Sequence, residues 1–219
     1  MLSDLLVQIF TRHAVYIEGV KTQTIDDFAP FLKNIKSEIT QELTSVEDFG
    51  NFRGERLNRF LRVISAGLGN QFTDYEKVWR EVLSELAEYE SAFSLQALNK
   101  VAAVDLSSPA PAQIMTAAFA QPLDVKGVDA GKLLSKFYRD WTDKTKDRVT
   151  GAIRLGAAQG KTVQQLVQQL KGSKKANYKD GILDATRRDV SLIVKTSIAH
   201  ITNQSRAVVY ERNQDIVVG

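Results

Sequence analysis

Cysteine is absent from this sequence, which excludes a disulfide framework and every cysteine-ligated metal site, and fits synthesis in a reducing cytoplasm. Histidine is almost absent. His13 and His200 are the only two, far apart in sequence, so no zinc-binding pair at helical spacing exists. Proline occurs four times, which leaves long stretches free to be helical. No window approaches the eighteen uninterrupted apolar residues of a membrane span, and the N-terminus, MLSDLLVQIFTRH, lacks the basic lead and apolar core of a signal peptide; neither secretion nor membrane insertion is expected. The glycine-rich phosphate cradle with its lysine and the serine nucleophile elbow are missing too. These absences point to binding rather than catalysis, with no cofactor and no metal.

What is present is helical periodicity and an uneven charge. Residues 1–125 hold 11 Lys or Arg against 17 Asp or Glu, whereas residues 126–219 hold 18 against 9, giving −6 and +9. A basic half is the electrostatic footprint of a nucleic-acid neighbour, although lysines and arginines on long helices also serve solubility. The charge change coincides with the polar connection QPLDVKGVDAG at residues 121–131. The expected organisation is therefore an acidic N-terminal helical bundle over 1–121 and a basic helical domain over 122–219, all-α throughout.

Within the first half, Ser3 and Asp4 open a helix that carries Leu5, Ile9, His13, Tyr16 and Val20 along one side to about Gly19. His13 reads as a core histidine, because no second ligand stands at i+4. Phe28, Phe31, Leu32, Ile35, Ile39 and Leu43 form the stripe of a second helix. The breakers of Asp48 to Gly54 separate it from a third, which carries Arg56, Arg59 and Arg62 outward and is expected to end at Gly67 and Gly69. Thr73 and Asp74 then offer a cap for a fourth, whose Tyr75, Trp79, Val82, Leu86, Tyr89 and Phe93 repeat like a seam. That seam suits a core or a partner helix, so a homo-oligomer stays open. The acids Glu76, Glu81, Glu85, Glu88 and Glu90 read as a solubility face with no histidine partner. Ser107 to Pro111 breaks the pattern, and Pro111 suits the first turn of a short helix to Ala120.

The second half opens with a long helix from about Gly131 to Gln159, with Leu134, Phe137 or Tyr138, Trp141, Thr145, Arg148, Ile153 and Leu155 near one side. Thr162 caps a short helix closed by Gly172. A helix-turn-helix regulator built on Thr162 to Lys171 is the alternative reading, but a lysine-rich loop, KGSKKANYKDG, stands where the second short helix should follow. In that loop Lys171, Lys174, Lys175 and Lys179 surround Tyr178, and Arg187 and Arg188 lie just beyond. Flexible and cationic, it suits sequence-independent contact with phosphates.

Asp184 to Asn213 contains neither glycine nor proline and carries two stripes. One is apolar or small: Val190, Ile193, Val194, Ser197, Ile201, Ser205, Val208 and Val209. The other, Thr196, His200, Asn203, Arg206 and Tyr210, gathers hydrogen-bonding groups of fixed geometry on one face, a candidate partner-binding surface. The order Thr196-Ser197-Ile198-Ala199, then Asn203, Arg206 and Tyr210, and the exit Ile216-Val217-Val218-Gly219 resemble the phage Mu F-like minor head proteins, or phage head morphogenesis proteins. Gly160-Lys161-Thr162-Val163-Gln164-Gln165-Leu166 is similar to that family too. The resemblance covers about residues 125–219. It does not include the strand-rich segment with a Trp, an Asp-x-Arg and paired Cys of longer members, so nothing of that segment carries over. It implies a structural virion protein inside the capsid, made in the host cytoplasm. Portal protein and other capsid components would be its partners, packaged double-stranded DNA its non-specific neighbour, and assembly, packaging or genome ejection its role.

Overall fold

A computed structural model describes residues 2–46, 54–102 and 105–216. Among these residues there is no strand, and the all-α expectation holds. The helices are α1 (Leu2–Asp26), α2 (Ala29–Thr44), α3 (Gly54–Ala102), α4 (Pro111–Ala120), α5 (Leu134–Ala158), α6 (Val163–Lys171) and α7 (Ile182–Arg212), with a 3-10 turn at Lys174–Ala176. No helix of the described residues is long and apolar enough to cross a membrane. Most of the expected loop Asp48 to Gly54, and the exit after Ile216, lie outside the described residues.

The chain gathers into two compact units that do not follow the charge boundary at 121/122. Unit 1 comprises Met1–Thr24, Val78–Phe137 and Ile193–Gly219; unit 2 comprises Ile25–Lys77 and Tyr138–Leu192. Both draw on the acidic and the basic half. Net charge does not decide which apolar faces pack together; α1, α3, α5 and α7 each give a length to both units.

Unit 2 is built on the α2 stripe. Phe28, Leu32, Ile35, Ile39 and Leu43 are all buried, as their spacing predicts. Around Phe28 stands an aromatic cluster: Tyr75 at 4.9 Å and Trp141 at 5.9 Å between ring centroids, with Phe72 at 5.0 Å from Trp141. The Tyr138 hydroxyl donates to the Phe72 carbonyl at 2.7 Å, so this buried phenol is satisfied. Leu155, expected beside the buried face of α5, is instead exposed. Gly156 takes the buried position, and α6 packs there so closely that a Cβ would meet Leu166 Cδ2 at 2.2 Å.

The third and fourth expected helices are one. α3 runs 49 residues straight through Gly67, Gly69 and Thr73. A mid-helix glycine costs about 1 kcal/mol, whereas each fully buried Leu or Phe gains about 1.5–3 kcal/mol, and here Leu68 and Phe72 are both buried beside those glycines. Gly67 also has a packing role, since a Cβ there would press on the Glu38 carboxylate of α2 at 3.1 Å. Gly69 and Gly151 have open space around them in helical backbone. Gly69→Ala and Gly151→Ala are each expected to raise the unfolding free energy by about 0.5–1 kcal/mol in urea titration.

In unit 1, Trp79, Leu83, Ala87, Ile198, Ile201 and Val209 are fully buried. Asn213 ties down the segment that follows α3: its side-chain amide donates to the Ser107 carbonyl at 2.9 Å and accepts from the Ser107 N–H at 2.7 Å. Its second donor bond goes to the Val209 carbonyl at 2.8 Å, closing the last turn of α7.

Candidate functional site

The apolar stripe of α7 is buried almost throughout; on the polar face beside it Asn203 and Tyr210 are exposed, Thr196 and Arg206 half-buried and His200 buried. Thr196, His200 and Asn203 share one groove of about 340 Å³ with Lys195, Gln204, Ala199 and, from the connection before α5, Asp124 and Val125. Steps of four and three along one helix place these groups on neighbouring turns. The groove therefore offers a cation, a carboxylate, a hydroxyl, two amides and an imidazole.

His200 is the group that most needs a partner. It is 7% exposed, and its Nε2 is buried with no hydrogen-bond partner. Burial lowers its pKa, opposed by the hydrogen bond from the ring to the Ala118 carbonyl. With its pKa below the ordinary value, the ring is neutral at pH 7. A folded pKa below the unfolded value near 6.5 means that the unfolded chain binds the proton first on acidification. The contribution of His200 to stability is complete above the unfolded value and lost as pH falls towards the folded one. Stability from urea titration is expected to decline from pH 7 to pH 5 with a smaller slope in His200→Gln than in the parent.

Arg206 belongs to the same stripe but turns inward. Its Nε donates to Glu90 Oε2 at 2.8 Å, and the other oxygen, Oε1, meets His13 Nε2 at 2.5 Å. Glu90 is thus no part of the solvated acidic face; it is fully buried between an imidazole and a guanidinium. Phe93 stacks on His13 with ring centroids 3.6 Å apart, and the Arg206 guanidinium lies over Phe10 at 5.4 Å. One sequence signal pointed this way: Glu90 stands in the register of buried Leu83, Ala87, Ser94 and Ala97, where an acid is out of place. Its partners, 77 and 116 residues away, carry no local signal. His13 is the core histidine its position predicts. Tyr210, the last residue of the stripe, is 36% exposed and does not line the groove.

The lysine-rich loop lies in unit 2 and is tied together by hydrogen bonds. Asp180 accepts from the Ser173 N–H and from its hydroxyl, both at 2.7 Å, and the Ser173 side chain caps the 3-10 turn at Ala176. Those bonds hold the Asp180 carboxyl below its ordinary pKa. Asn177 and Tyr178 adopt left-handed backbone, φ 49° and 60°, unusual for a tyrosine, and Tyr178 is half exposed. Lys174, Lys175 and Lys179 are exposed and Lys171 is half-buried at the base. Arg187 and Arg188 are exposed on the first turns of α7 but share Asp184, at 3.3 and 2.6 Å. The chain passes from α6 through this loop to α7, so the tight turn of a helix-turn-helix is replaced by residues 172–181.

Among the described residues no three His, Cys, Asp or Glu side chains could hold a metal ion together. The His13–Glu90 pair is sealed from solvent, with no described nucleophile hydrogen-bonded to the imidazole. What the two surfaces can do is recognise: the groove by hydrogen bonds of fixed geometry, the loop by charge. No family model, no curated protein and no solved structure matches this chain.

Proposed function

We propose that this chain is a structural, non-enzymatic protein of a phage head, which docks to portal protein through the α7 groove and meets packaged DNA through the lysine-rich loop. The groove carries the reading. The Thr196 hydroxyl and the Asn203 amide line it two turns apart on α7, where a docked protein segment can pair with both. Lys195, Asn203 and Gln204 can then fix the register of the segment, much as polar rims do in other interfaces. The likeness of Thr196 to Tyr210 to the minor head proteins supplies the partner, and the cationic loop supplies the DNA contact.

Co-purification with portal protein from the same source tests the docking. The parent chain should be retained, and Thr196→Ala with Asn203→Ala should release it without changing the helical circular dichroism. Arg206 is a poor probe, since its removal breaks the bond to Glu90. Failure of the parent to bind portal, or to enter virions, would end the phage-head reading.

A further inference from the structure

A second groove, in unit 2, combines charge and shape in a way the sequence hides. It measures about 330 Å³ and is lined by Lys33 and Lys36 of α2 and Arg187 of α7, over a floor of Phe28, Ala29 and Leu32. Lys33 and Lys36 come from the half of the chain with net charge −6, where nothing in the sequence singles them out. Folding sets them beside the root of the lysine-rich loop.

The local charge is only partly compensated. Asp184, the nearest acid on α7, already accepts from both Arg187 and Arg188, and Asp26 is the one acid on the groove wall. Against them stand Lys33, Lys36, Arg187, Arg188 and Lys171. The Lys36 ammonium is half-buried, and its pKa is lowered by burial, with the like charges of Arg187 and Lys171 adding to the shift against the pull of Asp184. Lys36 lies where charge is costly, and an anion seated in the groove relieves that cost.

We infer that this groove seats a phosphodiester of nucleic acid, with Lys33, Lys36 and Arg187 on the phosphate oxygens and the apolar floor against the sugar. A nucleic-acid backbone fits better than an acidic peptide because the cations continue in the same unit. Lys174, Lys175 and Lys179 extend the charge beyond one site, and a nucleic-acid backbone supplies an obligatory, permanently ionised phosphate at every nucleotide to such a run. The inference rests on the DNA-contact part of the proposed function and assigns it a seat.

The test is fluorescence anisotropy of the full chain with a labelled duplex and a single strand, each of about 20 nucleotides in length, across a salt series. Lys33→Gln with Lys36→Gln should weaken binding at least about five-fold and reduce the slope of log affinity against log salt by about 1.8 for duplex, or about 1.4 for single strand, two phosphate contacts at about 0.9 or 0.7 each. Lys144→Gln with Arg154→Gln, an equal loss of charge on the exposed face of α5 in the same unit, should leave the slope nearly unchanged. Circular dichroism and urea titration confirm that each variant is folded. The strand form bound more tightly by the parent identifies the source of the phosphodiester. Equal losses in both variants would overturn the seat in favour of diffuse charge. If Lys174→Gln with Lys175→Gln and Lys179→Gln abolishes binding while Lys33→Gln with Lys36→Gln does not, the seat falls and DNA contact by the loop stands. No DNA binding by the parent, or binding of poly-glutamate that DNA does not displace, would overturn both.

Discussion

Glu90→Ala is expected to destabilise the protein by about 3–5 kcal/mol, the range for removing one partner of a buried ion pair. The fully buried carboxylate holds two groups at once, His13 Nε2 at 2.5 Å and Arg206 Nε at 2.8 Å. Its removal leaves a guanidinium that is only 23% exposed without its anion and an imidazole without its hydrogen bond. Breaking a buried pair differs from replacing it. His13→Gln, Glu90→Gln and Arg206→Met together remove every charge at closely matched side-chain volumes, and that triple variant is expected to recover much of the loss. Urea titration measures both changes. A Glu90→Ala loss below about 1 kcal/mol would mean that the pair behaves like an exposed one.

Gly181→Ala is expected to open the lysine-rich loop at a cost of about 1–3 kcal/mol, because the added methyl has nowhere to go. A Cβ at Gly181 would stand 2.3 Å from the Gly172 nitrogen and 2.4 Å from the Lys171 carbonyl carbon, both backbone atoms that no rotamer change can move. The two strands of backbone must part, and with them the clasp from Asp180 to Ser173. Hydrogen exchange at the Ser173 and Ala176 amides, which donate to Asp180 and to the Ser173 hydroxyl, should accelerate. Acid should loosen the same clasp in the parent. The folded pKa of Asp180 lies below the unfolded one, so its contribution is complete above the unfolded value and lost as pH falls through the folded value. Asp180→Asn should remove that pH dependence from the exchange rates.

The stripes were legible because burial repeats every three or four residues over many turns. Phe28 to Leu43 and Val190 to Val209 follow their spacing with few departures. Gly67 and Gly69 misled because a glycine near a helical end and one inside a long helix look alike locally; burial of Leu68 and Phe72 decides between them, and burial is tertiary. The site divides the same way. Thr196, His200 and Asn203 share a face by periodicity alone, so one helix sufficed to group them. Arg206 lies one turn further along the same face, yet its partner is a carboxylate 116 residues away, and nothing in its own helix reveals that. Lys33 and Lys36 were hidden for a related reason: average charge over a hundred residues says little about which few side chains a fold gathers.

Because α1, α3, α5 and α7 each give a length to both units, the order in which the chain leaves the ribosome matters. Most of α1, then α2, can be made early, but each unit also needs a length of α7, which begins at Ile182. Until α7 is made, therefore, the faces that it will cover have no permanent neighbour. The growing chain must tolerate that exposure or be shielded by a chaperone, and both units reach completion only when α7, which they share, arrives.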